Sequence, residues 1–141
     1  MSISTYISHS EQETRQFASN FAKTLKGGEK ICLVGPLGAG KTTFVRGFVE
    51  AFNLSSADVQ SPTFTLVREY GNSPTIYHVD LYRLDKEEEI FEAGIFELLG
   101  SDEIVILEWA DNLKKYYPHP SIRIELSHDG ENSRSIRIIN D

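Results

Sequence analysis

The chain has 141 residues, 40% hydrophobic and 25% charged, with a formal net charge of −7. That length suits one compact domain spanning 1–141, able to bury its apolar surface without disulfides or a structural metal. The acidic balance, with no Lys/Arg cluster beyond Lys114-Lys115, excludes tight nucleic-acid binding by the chain alone.

Ser2 to Ile7 alternates like a short strand. No signal peptide is expected from MSISTYISHS, which lacks a basic region followed by an apolar run. Ser10-Glu11-Gln12-Glu13 is a capping box opening a helix whose apolar side is Phe17, Ala18, Phe21, Ala22 and Leu25. Gly27-Gly28 ends it. Lys30 to Val34 is an apolar strand, in which Cys32 is an inert core thiol with no internal disulfide partner. Gly35 to Gly40 forms a loop, and Lys41 to Phe52 a helix with Phe44, Val45, Phe48, Val49 and Phe52 on one face.

Phe64 to Tyr70 and Thr75 to Tyr82 predict an antiparallel hairpin about Gly71-Asn72-Ser73-Pro74. Asp85-Lys86-Glu87-Glu88 predicts a cap and a short acidic helix, interrupted at Gly94 and resumed over Ile95 to Leu99. Glu103 to Leu107 is a buried strand, and Ser121–Leu126 with Ser135–Ile139 a closing hairpin. The elements predict an α/β domain with a mixed parallel/antiparallel sheet flanked by helices. No run approaches the about 20 apolar residues that cross a bilayer, so no membrane association and a cytoplasmic setting are expected.

Gly35-Pro36-Leu37-Gly38-Ala39-Gly40-Lys41-Thr42 matches the P-loop pattern G-x-x-x-x-G-K-S/T, between a strand and a helix as that motif requires. Its glycines let backbone amides turn inward as an anion nest, and the helix adds unpaired amides and its positive end. Lys41 would reach the β- and γ-phosphates of a nucleoside triphosphate, Thr42 would ligate Mg²⁺, and Thr43 could bond an α-phosphate oxygen.

Such a loop needs an acid at a neighbouring strand end to hold Mg²⁺ directly or through water. Glu108, after four apolar residues, is favoured nearest the metal; Asp80 would then stand behind it or orient the attacking water. Trp109 is open between a packing role and a role at the site, and His78 is read as structural. Ser61 to Thr65 is either a switch sensing the γ-phosphate or an ordinary Ser-Pro turn.

Taken together, GPLGAGKTTFVRGF at 35–48, SPTFTLVREY at 61–70, YHVDLYRL at 77–84, the Gly94-Ile95 region and LEWADN at 107–112 resemble the TsaE (YjeE) family of small bacterial ATPases over nearly the whole chain. The resemblance implies a P-loop NTPase fold and an ATP- and Mg²⁺-dependent accessory role in making threonylcarbamoyladenosine in tRNA. Its partners would be a TsaD–TsaB complex, with tRNA held mainly by them. It implies Lys41 and Thr42 for phosphate and metal, Asp80 and Glu108 as essential acids, and Trp109 as an essential aromatic. It also places the nucleotide near Glu11 and Arg134, beside Gly38, Ala39 and Gly40.

Two other readings use the same loop. A small-molecule kinase would bind a hydroxyl acceptor at Asp80-Leu81-Tyr82-Arg83, though the chain leaves little room for an acceptor pocket and lid. A GTP-dependent switch ranks lower because no Asn-Lys-x-Asp guanine-reading motif is present.

Overall fold

The computed structural model describes residues 2–36, 38–56, 59, 66–71 and 74–140. In chain order the elements are β1 (Ser2–Ser8), α1 (Glu11–Ala22), β2 (Lys30–Val34), α2 (Lys41–Glu50), β3 (Val67–Tyr70) and β4 (Ile76–Asp80). Then come α3 (Glu87–Glu92), α4 (Ile95–Leu99), β5 (Ile104–Glu108), a 3-10 segment (Ala110–Tyr116), β6 (Ile122–His128) and β7 (Arg134–Asn140). Among the described residues seven strands form one sheet in the order β1-β7-β6-β2-β5-β4-β3. Strands β6, β2, β5 and β4 run parallel, and both flanks are antiparallel. This is the α/β mixed sheet that the pattern of elements predicts.

Composition explains the parallel centre. In β5, IVILE is buried at every position, and KICLV of β2 at all but the last, as expected of strands covered on both faces. One face packs Ile31, Leu33, Ile106 and Ile124 against Phe44 and Phe48 of α2 and Ala18 of α1. The other packs Cys32, Val79, Val105 and Leu107 against Ile90, Ile95 and Leu113. Alternation along each strand therefore decides which side chains share the α1–α2 layer. No helix among the described residues is long and apolar enough to cross a membrane.

Helix α1 starts as its sequence dictates. Ser10 Oγ accepts from the Glu13 amide at 3.1 Å, and Glu13 Oε1 accepts from the His9 amide at 3.0 Å. Such a cap contributes about 1 kcal/mol. The helix stops at Ala22 and unwinds through turns before Gly27-Gly28, so the glycines follow its end at a distance. Asp85 is not the cap of α3. Lys86 holds that position with no side-chain cap bond, and the helix relies on Glu87, Glu88 and Glu89 facing its positive end.

Helices α1 and α2 touch at Gly47, which the sequence pattern did not single out. A Cβ built there lies 2.2 Å from the Arg15 carbonyl oxygen, so only glycine lets the two backbones meet. Arg15 also makes a two-pronged contact to Glu50, at 3.2 and 2.9 Å. That pair is exposed and adds little beyond orientation. Gly47→Ala should therefore destabilise the fold by about 1–3 kcal/mol through overpacking, despite the better helix propensity of alanine. Urea titration would show a lower midpoint at unchanged slope; a midpoint at or above wild type would refute the close-contact argument.

Candidate active site

The cleft opens where the parallel strands end. Asp80 and Glu108 are register partners on β4 and β5, and Glu108 in turn lies opposite Leu33 of β2. Three neighbouring strands thus finish level with one another, and the chain leaving β2 becomes the loop. Gly38 and Gly40 have φ of 79° and 102°, in the left-handed region where a side chain is costly. From Gly40 the chain enters α2, whose Phe44 amide donates to the Gly40 carbonyl at 2.8 Å. Ala39 is buried beneath the loop.

The cleft has a volume of about 1330 Å³, ample for a small-molecule ligand. Gly38, Gly40, Lys41, Thr42 and Thr43 line it from the loop and helix side, and Asp80, Glu108 and Trp109 from the strand ends. Glu11, from the first turn of α1, and Arg134, from the start of β7, line it too. Arg134 Nη2 also donates to the Gly38 carbonyl at 3.3 Å, tying the closing hairpin to the loop. The site residues singled out in the sequence, Ala39 excepted, therefore line one cleft. Ala39 alone of them does not face the opening, and Leu37 and the segment 61–65 lie outside the described residues.

Glu108 organises the electrostatics. Its Oε1 is 3.3 Å from Lys41 Nζ and its Oε2 is 2.7 Å from His78 Nε2. Burial alone pushes this carboxyl up, but the hydrogen bond and charge of His78 and the Lys41 ammonium outweigh it and hold Glu108 below its ordinary value. His78, read as structural, is indeed buried, yet its ring is bonded to the central acid of the cleft. Alternation could place it on that face of the sheet but could not show its partner. Asp80 is also buried, and its Oδ1 accepts from the Tyr82 amide at 2.8 Å. The strand ends are clamped together: the Leu81 amide donates to the Glu108 carbonyl at 3.0 Å, and Asn112 Nδ2 donates to the Leu81 carbonyl at 2.6 Å.

Trp109 stands at the rim of the cleft rather than in the core. Its φ of 61° and ψ of 37° reverse the chain directly after Glu108, a conformation costing about 1–3 kcal/mol for a residue with a side chain. It is 51% exposed at the cleft mouth, with its ring 4.9 Å from that of Tyr82. Cys32 lies away from all this, fully buried, with its thiol pushed up by burial.

Four carboxylates (Glu11, Asp80, Glu108 and Asp111) and the cations Lys41, Arg123 and Arg134 line the same cleft. A phosphate chain entering alone would be drawn to the loop amides and Lys41 but repelled by the acids. A divalent cation bound with it reconciles the two. Among the described residues no three His, Cys, Asp or Glu side chains form a metal cage. Mg²⁺ is commonly held by one or two protein ligands together with substrate phosphates. Glu108 and Thr42, both lining the cleft, could supply oxygen ligands to such an ion.

Comparison with known proteins points to one family. A family model described as threonylcarbamoyl adenosine biosynthesis protein TsaE matches residues 8–136. A tRNA threonylcarbamoyladenosine biosynthesis protein TsaE from Rickettsia bellii is 40% identical over 136 residues, covering 96% of this chain and 94% of the relative. The Bacillus subtilis protein of the same name is 35% identical over 126 residues, covering 89% and 78%. The crystal structure of Bacillus subtilis YdiB superimposes with a TM-score of 0.80 at 27% identity, covering 99% of this chain and 86% of that one.

The Glu108 pairing sets a pH dependence. A carboxyl depressed in the folded state contributes stability above its unfolded value, about 4.3, and that contribution is lost as pH falls through the lower folded value. Urea midpoints of wild type and Glu108→Gln, compared from about pH 6 down to about pH 3, should therefore show wild type losing stability relative to the variant on acidification. Parallel curves would mean that Glu108 carries no such linkage.

Proposed function

The chain belongs to the TsaE family of tRNA threonylcarbamoyladenosine biosynthesis proteins, and from that premise we propose that it is an ATP-binding and ATP-hydrolysing accessory subunit acting on a TsaD–TsaB complex. The observation that carries the proposal is the Lys41–Glu108 contact of 3.3 Å, with Asp80 the register partner of Glu108 on the neighbouring strand. Cation, metal-side acid and second acid thus converge on one anion-binding loop.

The loop amides and the α2 N-terminus receive the phosphates, and Lys41 exchanges its contact with Glu108 for the β- and γ-oxygens. Glu108 and Thr42 would hold Mg²⁺, and Asp80, the register partner of Glu108, would orient the attacking water. The metal, when bound, offsets phosphate charge and so lowers the barrier to in-line displacement. Glu11, Trp109 and Arg134 flank the rest of the nucleotide. The net charge of −7 supports a division of labour in which tRNA is held mainly by the partners.

Three measurements test this. Calorimetry should show ATP and Mg²⁺ binding to wild type, with ATP preferred over GTP, and loss of nucleotide binding in Lys41→Ala. Hydrolysis should be weak in the isolated chain and rise with TsaD–TsaB and tRNA, and Glu108→Ala should suppress turnover by at least about 10²-fold while impairing binding less. Absence of stimulation would refute the accessory role, and full hydrolysis by Glu108→Ala would refute the assignment of the acid. Dependence on a small acceptor that becomes phosphorylated would favour the kinase reading instead.

A further inference from the structure

Residue alternation along β4 puts His78 on the same face as Ile76 and Asp80, the face covered by α1 and α2. In the β4–β5 register it lies opposite Ile106, one like-facing pair before Asp80 and Glu108. Its ring nonetheless leans forward along the sheet and brings Nε2 to 2.7 Å from Glu108 Oε2. At that distance a carboxylate oxygen whose partner oxygen already faces Lys41 accepts the bond, so Nε2 carries the proton. On the other side of the ring Nδ1 is 3.5 Å from the Tyr70 hydroxyl on β3, and both Tyr70 and His78 are buried. A row of groups therefore crosses three adjacent strands and meets Lys41 at the carboxylate.

From this geometry we infer that His78 is a positioning residue for the ATP hydrolysis proposed above, on which the inference rests: it fixes Glu108 Oε2 from within the core so that Oε1 is presented to the cleft. A glutamate side chain on a strand end has several rotamers, and Lys41 must be released to the phosphates when nucleotide binds. The ring is 1% exposed, so water has no route to replace its donor. After Lys41 leaves, the bond from His78 still holds the carboxylate plane in place. His78 itself touches neither nucleotide nor metal.

The test uses two amides in the full chain, assayed for ATP hydrolysis with TsaD–TsaB and tRNA. In His78→Gln the amide nitrogen sits as many bonds from Cβ as ring Nε2 does; in His78→Asn it stops short, at the position of Nδ1. Asn should lower kcat by about 10²-fold with little change in KM for ATP, the loss expected of a displaced group. Gln should recover most of that loss. Equal activities of the two variants, or a loss seen in KM alone, would overturn the inference. If wild type does not hydrolyse ATP under these conditions, the functional reading falls and takes the positioning role with it. Nitrogen-15 NMR of the histidine rings adds a readout that does not need the His78 variants to fold. His78 Nε2 should bear a slowly exchanging proton whose shift moves in Glu108→Gln, and an unprotonated Nε2 would refute the hydrogen bond.

Discussion

Glu108 is buried at the end of β5 with its two oxygens engaged from different sides, by Lys41 at 3.3 Å and by His78 at 2.7 Å. A carboxylate taken out of water costs several kcal/mol unless paired and hydrogen-bonded, so neither contact is optional. The two differ in kind. His78 belongs to the sheet and cannot leave it. Lys41 is a long, partly exposed side chain at the start of α2, with a second natural partner in any phosphate bound to the loop. The arrangement stores the acid in an ionised state and leaves its cation exchangeable, as a metal- and phosphate-binding cleft requires.

That contact exists because of strand order. With β2 between β6 and β5, and β4 beyond β5, the loop after β2 and the acids ending β5 and β4 come out on one edge of the sheet. Ligands of open α/β sheets collect at the carboxyl ends of parallel strands for this reason. The register adds precision, since Asp80, Glu108 and Leu33 lie on one line across three strands. The antiparallel flanks serve the same edge: the closing hairpin brings Arg134 to the Gly38 carbonyl, and β1 leads into the capped start of α1, whose Ser10 and Glu11 line the cleft.

Legibility followed the range of the signal. The loop, the α1 capping box and the apolar run before Glu108 are local patterns whose physics acts within a few residues, and they could be read directly. The antiparallel hairpin of β3 and β4 was legible from its short connection. Strand order was not, because nothing in β6 or β1 names its neighbour. His78 shows the same limit at the level of one side chain. Period-two alternation gives a face, but a diagonal contact from β4 to β5 needs the register, which parallel strands joined by a long crossover do not reveal. Gly47 reads as a helix-weakening residue until Arg15, distant in sequence, is laid across it. Asp85 failed as a cap because an acidic first turn already satisfies the start of α3, so the helix opened one residue later.

The rim of the cleft raises a different physical question. Each acid is followed within two residues by a large aromatic, Tyr82 after Asp80 and Trp109 after Glu108, and these remain 57% and 51% exposed. Trp109 also holds a left-handed backbone that a tryptophan adopts only at a cost. Stability of the isolated chain would be served by burying both rings and relaxing that residue. Their position beside the acids is instead suited to being covered. A surface laid over them would exclude water from the open cleft in front of Asp80 and Glu108, lower the local dielectric and strengthen every charge interaction there. Until then the cleft in front of the buried acids stays open to solvent, where electrostatic stabilisation of a transition state is weak. The exposed aromatic rim thus gives a physical reason for the slow-alone, faster-with-partners behaviour proposed for the chain. It assigns the difference to desolvation of a site already assembled rather than to the supply of a missing part.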